Sequence, residues 1–362
     1  MSTKKRILFF TKDLNRTGAE MILFNIVEKL DRSKFDIGIV VLQPGGELIA
    51  QLPQDIKLYY LSINFNLSDK IRFHLGEDVM LNRLKKIQQD FNSDIWYINT
   101  IDNAYLLKFK EHFSVKSCLH VHEYLYNFEQ IASQEIKLVI EKADQVIGCS
   151  VLVEKLFKPL LGNKYMTFQS AIDTHFIENS LTETKPTSGD KKKIVSSGTL
   201  CYRKGLDIFL ELSTFFNDSN VEFIWLGKWP NNGYAELLKN KIDAGEFPNV
   251  QILDQLNHQE YYQTMQSADL FLSCSREESM GLVMMEAIYC GVPVLATDSG
   301  GSSLIVNDQN GKVCFDFRPE TLSQEIQGLL NRPFEKLAMR QSISQYDGEL
   351  EIQKLEIILS KI

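Results

Sequence analysis

KRILFFT (residues 5–11), GAEMILFNIVEKL (18–30) and FDIGIVVL (35–42) decide the fold of this chain. The first and third are short runs dominated by apolar residues, as expected of strands covered on both faces. The middle one spaces Met21, Ile22, Phe24, Ile26, Val27 and Leu30 as an amphipathic helix does. Together they form a β-α-β unit. Working outward, the alternation continues with IKLYYL (56–61), a helix over 79–91, DIWYINT (94–100), SCLHVHEY (117–124), a helix over 132–142 and QVIGCS (145–150). Strands separated by helices predict a parallel sheet wrapped on both faces.

The stretch NSLTETKPTSGDKKK (179–193) has no large apolar residue after Leu181 and carries Pro186 and Gly189, which marks a linker. Beyond it the same grammar restarts: KIVSSGTL (193–200), a helix over 205–216, VEFIWLG (221–227), a helix over 233–242, VQIL (250–253), a helix over 258–266, DLFLSC (269–274), a helix over 281–290 and VPVLAT (292–297). The expected class is α/β, with two Rossmann-like domains, 1–178 and 179–345. A terminal helix over 346–362 is expected to pack back on the first, with Leu350, Ile352, Leu355, Ile358 and Leu359 on one side. Open α/β sheets bind ligands at the carboxyl ends of their strands, so a cleft between two such ends is the expected site.

Composition narrows the function. The 362 residues are 44% hydrophobic and 24% charged, enough for two cores. The net charge is −8, and all of the surplus lies in residues 181–362, because 1–180 carry 22 basic and 22 acidic residues. An acidic balance argues against nucleic acid as a partner. No run of 18 apolar residues lacks a charge, and MSTKKRILFFTKD is too short in its apolar part for a secretory signal. The six cysteines lie far apart with no C-x-x-C pair, which fits reduced core thiols in the cytoplasm.

The chemistry concentrates in SREESMGLVMMEAIYCGVPVLATDSGG (275–301). A strand ends near Cys274, a turn holds Glu277, Glu278 and Ser279, and a helix starts at Gly281. That helix is apolar on nearly every side except for Glu286, and a carboxylate in such surroundings needs specific partners. A diphosphate at the helix start would meet the free N–H groups of Gly281, Leu282 and Val283 and the positive end of the helix dipole. Glu278 would then face a sugar on one side of the diphosphate. Glu286, on the order of 7 Å along the axis at about 1.5 Å per residue, would face a ribose, whose two vicinal hydroxyls one carboxylate can accept.

Glu278-x7-Glu286, followed by Ala287, Gly291, Pro293, Val294 and Gly300-Gly301, resembles the E-x7-E signature of the retaining GT-B glycosyltransferases, family 4-like or group 1. SSGTLCYRKGLDIFL (196–210) is similar to the family's G-R-L-x3-K-G stretch. Lys204 matches the lysine that contacts the donor phosphates, Thr199 stands where the family has Arg, and Arg203 is placed to compensate. DLNRTGAE (13–20) is similar to the Gly-Gly-Ala-Glu turn, with Gly18 kept and Thr17 replacing the other glycine. His122 in HVHEYLY (120–126) falls where the family has a histidine beside the transferred sugar, and His120 is expected to be packing. QSAIDTHF (169–176) fits at Ile172, Asp173 and Phe176, while Leu304 replaces a common Glu.

No Asp-x-Asp occurs, nor a G-x-G-x-x-G after the first strand, which disfavours a metal-bridged diphosphate site and a dehydrogenase. The resemblance implies a retaining, metal-independent sugar transfer from a nucleotide sugar, UDP- or GDP-linked, to a hydroxyl of a glycan or lipid-linked acceptor, with no other cofactor. Bacterial cell-surface polysaccharide synthesis is the implied setting. The second domain would hold the donor and the first the acceptor, with His122, Glu278 and Lys204 as the reacting-centre residues. The helix over 79–91, with Arg83, Lys85 and Lys86, reads first as a solvated amphipathic face, with peripheral contact at the inner face of a membrane as the second reading. Two alternatives stay open: an inactive relative acting as a partner subunit, and a non-hydrolysing nucleotide-sugar epimerase.

Overall fold

The computed structural model describes residues 4–62, 66–74, 76–182, 191–217, 219–254 and 256–362, with the backbone alone for Ile71. The chain divides into two compact units, Met1–Ala171 with Gly348–Ile362, and Ile172–Asp347. The first border falls seven residues before the expected one, because Ile172 is bridged to Asp347 and its N–H donates to Tyr346 O (3.2 Å) in the second unit. Of the linker expected at 179–193, residues 183–190 lie outside the described residues.

The first unit is built on seven strands: β1 Lys5–Thr11, β2 Phe35–Val41, β3 Lys57–Tyr60, β4 Ile95–Asn99, β5 Lys116–Val121, β6 Gln145–Gly148 and β7 Tyr165–Thr167. They pair in parallel in the order β3-β2-β1-β4-β5-β6-β7. β4 is buried at every position, IWYIN, because helices cover both faces of the sheet. Trp96 packs against Phe10 and Phe113 at ring distances of 5.1 and 5.0 Å. Several helices begin where a side chain satisfies a free N–H: Asp78 accepts from Leu81 N (2.9 Å) at the start of Val79–Phe91, and Ser150 caps Val151–Leu161.

Helix Gly348–Lys361 completes this unit. Glu356 accepts from Asp31 N (2.9 Å) and Lys34 (2.8 Å), Lys5 donates to Ser360 O (2.9 Å), and Leu355, Ile358 and Leu359 are buried while Leu350 is exposed.

The second unit has β8 Lys192–Ser197, β9 Val221–Leu226, β10 Val250–Leu253, β11 Leu270–Ser273, β12 Val294–Thr297 and β13 Gly311–Cys314, all parallel in the order β10-β9-β8-β11-β12-β13. One face of the sheet carries Phe209 edge-on to Phe223 and Trp225, and the other carries Met284, Met285 and Ile288 of helix Leu282–Cys290. Both sheets reverse winding direction once, between β1 and β4 in the first and between β8 and β11 in the second. The helices flanking a reversal point diverge, which opens a crevice at the carboxyl ends of those two strands.

All six cysteines are free thiols, five of them buried. No helix among the described residues is long and apolar enough to cross a membrane.

Candidate functional site

In the second unit the loops after β8 and β11 carry five of the expected site residues, Thr199, Arg203, Lys204, Glu278 and Gly281, to the reversal point. The loop after β8 runs through exposed Thr199 to a single helical turn, Tyr202–Lys204, and then Gly205 at φ +74° opens helix Leu206–Thr214. Gly205 is required there twice over: its φ is left-handed, and a Cβ would lie 2.0 Å from Cys274 O. The two loops are tied together. Arg276 N donates to Arg203 O (2.8 Å), and the Arg276 guanidinium grips both oxygens of Asp207 (2.8 and 2.7 Å) while lying 3.7 Å over the Tyr202 ring. Burial opposes ionisation of Asp207, but Arg276 outweighs it and holds the carboxyl below its ordinary value.

Glu278 is 6% exposed. Its backbone runs as a short parallel bridge along Gly300, with Glu278 N donating to Ser299 O (2.8 Å) and Gly301 N to Glu278 O (2.9 Å). Its carboxylate accepts from Lys204 Nζ, from Ser275 Oγ (2.7 Å) and at 3.5 Å from Arg203, which also donates to Glu277 O (2.8 Å). Burial works to raise this carboxyl, yet Lys204 and Arg203 hold it below its usual range. Lys204 is therefore an ion-pair partner of Glu278 and not a solvated base.

Gly281, at φ +100°, is the cap of helix Leu282–Cys290, where the sequence placed the first helical residue. Met284 N donates to Gly281 O (3.0 Å), while the N–H groups of Leu282 and Val283 have no acceptor within the helix and point out of its start. Glu286 lies one turn deeper and is partly buried. Its Oε2 accepts from Tyr261 OH (2.9 Å) and its Oε1 from Tyr262 OH (3.1 Å), both from helix His258–Ser267. Tyrosine hydroxyls are thus partners that the helix pattern around Glu286 did not indicate.

In the first unit, β1, β4 and β5 bring a different set to the carboxyl edge. Thr17 caps helix Gly18–Lys29 and its hydroxyl donates to Glu20, whose carboxyl burial raises. Among the described residues, apart from its chain neighbours and its own helix backbone, nothing lies within 4 Å of where a Gly18 Cβ would stand. β5 ends before His122. The His122 ring donates from Nε2 to Asn99 Oδ1 (2.8 Å), since the Asn99 amide nitrogen is turned to Ala19 O (3.3 Å). Nδ1 is buried without a partner, and burial pushes the imidazole down to about 3, so it stays neutral. His122 carries no charge in this arrangement. His120, fully buried, bonds Tyr97 OH through Nδ1 (2.7 Å).

Glu123 follows His122 directly, and no motif in the sequence singles it out. It is 8% exposed, one oxygen accepts from His122 N (2.9 Å) and Ile101 N (3.2 Å), and burial pushes its carboxyl up to about 7. Of the bases on helix Val79–Phe91, Lys85 and Lys86 are exposed, but Arg83 is bound to Asp69 (2.6 Å), which removes it from a membrane-facing set. Among the described residues, no group of three or more His, Cys, Asp or Glu side chains is arranged to hold a metal ion.

Residues 179–347 match the family model described as glycosyl transferases group 1. The chain is 25% identical over 241 residues to a GDP-mannose-dependent monoacylated alpha-(1-6)-phosphatidylinositol monomannoside mannosyltransferase of Corynebacterium glutamicum, covering 61% of this chain and 61% of that protein. The first such relatives are thus matched over about three fifths of their length or less. Among solved structures, Anabaena Alr3699/HepE in complex with UDP and glucose superposes with a TM-score of 0.79 at 19% identity, covering 99% of this chain and 100% of that one. Sucrose-phosphate synthase from Thermosynechococcus elongatus gives 0.80 at 14%, covering 99% of each. The chain has the GT-B fold, and its second unit carries the group 1 glycosyltransferase match.

Proposed function

We propose that this protein transfers a sugar from a nucleoside-diphosphate sugar to a hydroxyl of a glycan or lipid-linked acceptor, with retention at the anomeric carbon and without a metal ion. The observation that carries this reading is the convergence of Lys204, Arg203, Glu278 and the start of helix Leu282–Cys290 at the reversal point of the second sheet. Two cations and a set of outward N–H groups suit a diphosphate, whose charge grows as the sugar leaves. Lys204 would follow that charge, and Glu278, tied down by Ser275, would orient the sugar. Glu286 would accept from the ribose hydroxyls. The bond from the anomeric carbon to the diphosphate breaks and the acceptor oxygen bonds on the same face, its proton passing to the departing phosphate.

The GDP-mannose dependence named for the corynebacterial relative and the UDP bound in the Anabaena structure point to GDP or UDP as the nucleotide. The test is a thermal-shift screen of the full chain against UDP, GDP, ADP, TDP and CMP, with and without EDTA. Stabilisation by one diphosphate, unchanged by EDTA, is expected, because a ligand of the native state raises the melting temperature. No shift with any of them at millimolar concentration overturns the reading.

A further inference from the structure

Glu286 is reached by a hydrogen-bonded chain that starts on the sheet. Ser197, the last residue of β8, places Oγ 2.9 Å from Tyr261 OH, which is 2.9 Å from Glu286 Oε2, while Tyr262 OH lies 3.1 Å from Oε1. The direction of each bond follows from donor counting. An ionised carboxylate only accepts, so both phenols donate to it. Tyr261 spends its single proton on Glu286, and the Ser197 hydroxyl must then donate to Tyr261. Burial, and next the Glu286 carboxylate, hold both phenols well above their ordinary range, so they remain donors.

The chain is rigid at both ends. Tyr262 is 6% exposed, sits in the core with Met285 and Ile288, and meets the Phe176 and Tyr261 rings edge-on at 6.1 and 5.1 Å. The helix that carries both tyrosines is locked at its start by reciprocal bonds between Asn257 and Glu260 (3.0 and 2.9 Å). A bond to each carboxylate oxygen fixes the plane of the group, and a carboxylate oxygen can accept from more than one donor. Two such positions on one carboxylate match a pair of vicinal hydroxyls.

The geometry points to Tyr261 and Tyr262 as positioning residues that hold the Glu286 carboxylate, through Ser197, in the plane that receives both hydroxyls of a nucleotide ribose. This rests on the donor site proposed above and adds to it the device that selects ribose over deoxyribose.

The experiment is calorimetric titration of the full chain with UDP, GDP and ADP and with dUDP, dGDP and dADP, for the unmodified protein, Tyr261→Phe, and Tyr261→Phe combined with Tyr262→Phe. For the nucleotide that binds, the ribo form is expected to bind about tenfold tighter than the 2′-deoxy form, the size of a hydrogen bond to a charged group. In Tyr261→Phe that ratio falls by about half or more on a logarithmic scale, while the deoxy Kd stays within about twofold. The deoxy Kd also reports folding, so Tyr261→Phe decides the matter if the double variant fails to fold. Equal weakening of both forms, an unchanged ratio, or tighter ribo binding overturns the proposal while leaving the donor site standing. An unmodified protein that binds none of the six overturns both.

Discussion

The two reversal points hold opposite kinds of polar group. At β8/β11 the side chains are charged and paired: Lys204 and Arg203 on Glu278, Arg276 on Asp207. At β1/β4 and neighbouring β5 burial works against charge: His122 is held neutral far below its ordinary range, Glu123 is raised to about 7 and Glu20 is raised. A prearranged charge set suits a ligand that is itself charged, whereas neutral donors and acceptors suit hydroxyls, whose recognition needs no counter-ion. One fold thus presents two chemistries from the same topological position, and the difference resides in loop residues, not in the sheets.

The comparison is most exposed at the glycine of each first turn. Gly205→Val puts a side chain against Cys274 O at φ +74° and is expected to destabilise by about 4 kcal/mol in urea unfolding. Gly18→Ala meets open space on a helix and is expected to stabilise by about 0.5 kcal/mol. Equal responses of the two variants would break the contrast.

Glu123 gives the next effect. Its carboxyl titrates near 4.5 in an unfolded chain and about 7 in the fold, so the folded form holds the proton more tightly. Its contribution is whole below pH 4.5 and is lost as pH rises to 7, a fall of about 3 kcal/mol across that window. Glu123→Gln, which still accepts from His122 N and Ile101 N, is expected to flatten that slope in denaturant melts at stepped pH. An unchanged slope would place the neutral character of the first unit elsewhere.

Lys204→Met removes the cation nearest Glu278 while Arg203 and Ser275 remain, so a loss of about 2 kcal/mol in thermal unfolding is expected, recovered in large part by adding Glu278→Gln. No recovery would mean that the pair is not the coupled unit described. The smallest effect belongs to exposed Thr199. With the proposed donor site, Thr199→Arg is expected to tighten diphosphate binding roughly threefold in dilute buffer, and not at all in about 1 M salt.

Periodicity placed the strands of both sheets from β1 to β6 and from β8 to β12, because each is a short apolar run between turn residues. Among the elements it missed are helix Leu67–His74, the twelve-residue 3-10 helix Ile101–His112, helix Val151–Leu161 with Pro159 inside it, β7, helix Thr174–Ser180 and everything from helix Ser302–Ile305 to Gln341. Tertiary packing decides those segments. The resemblance singled out Lys204, Arg203, Glu278 and Gly281 because the motifs that carry them sit in strand-turn-helix units, and the structure brings Lys204 and Arg203 onto Glu278; their roles toward a donor belong to the proposal. It did not single out Tyr261 and Tyr262, since their meeting with Glu286 depends on how two helices pack, and no local pattern encodes that. Asn99 and Glu123 end or follow apolar strands, and a polar residue at that position is the signal in the sequence that points to them.

Helix Gly348–Lys361 belongs to the first unit although the 176 residues of the second unit precede it. During synthesis at roughly 5–20 residues per second, the ribosome spends about 9–35 s on that intervening stretch. Throughout this interval the nascent first unit lacks the helix in which Leu355, Ile358 and Leu359 are buried, and the surface of helix Gly18–Lys29 that it packs against stays uncovered. The second unit, contiguous in the chain, has no such wait: it can close before the first is finished.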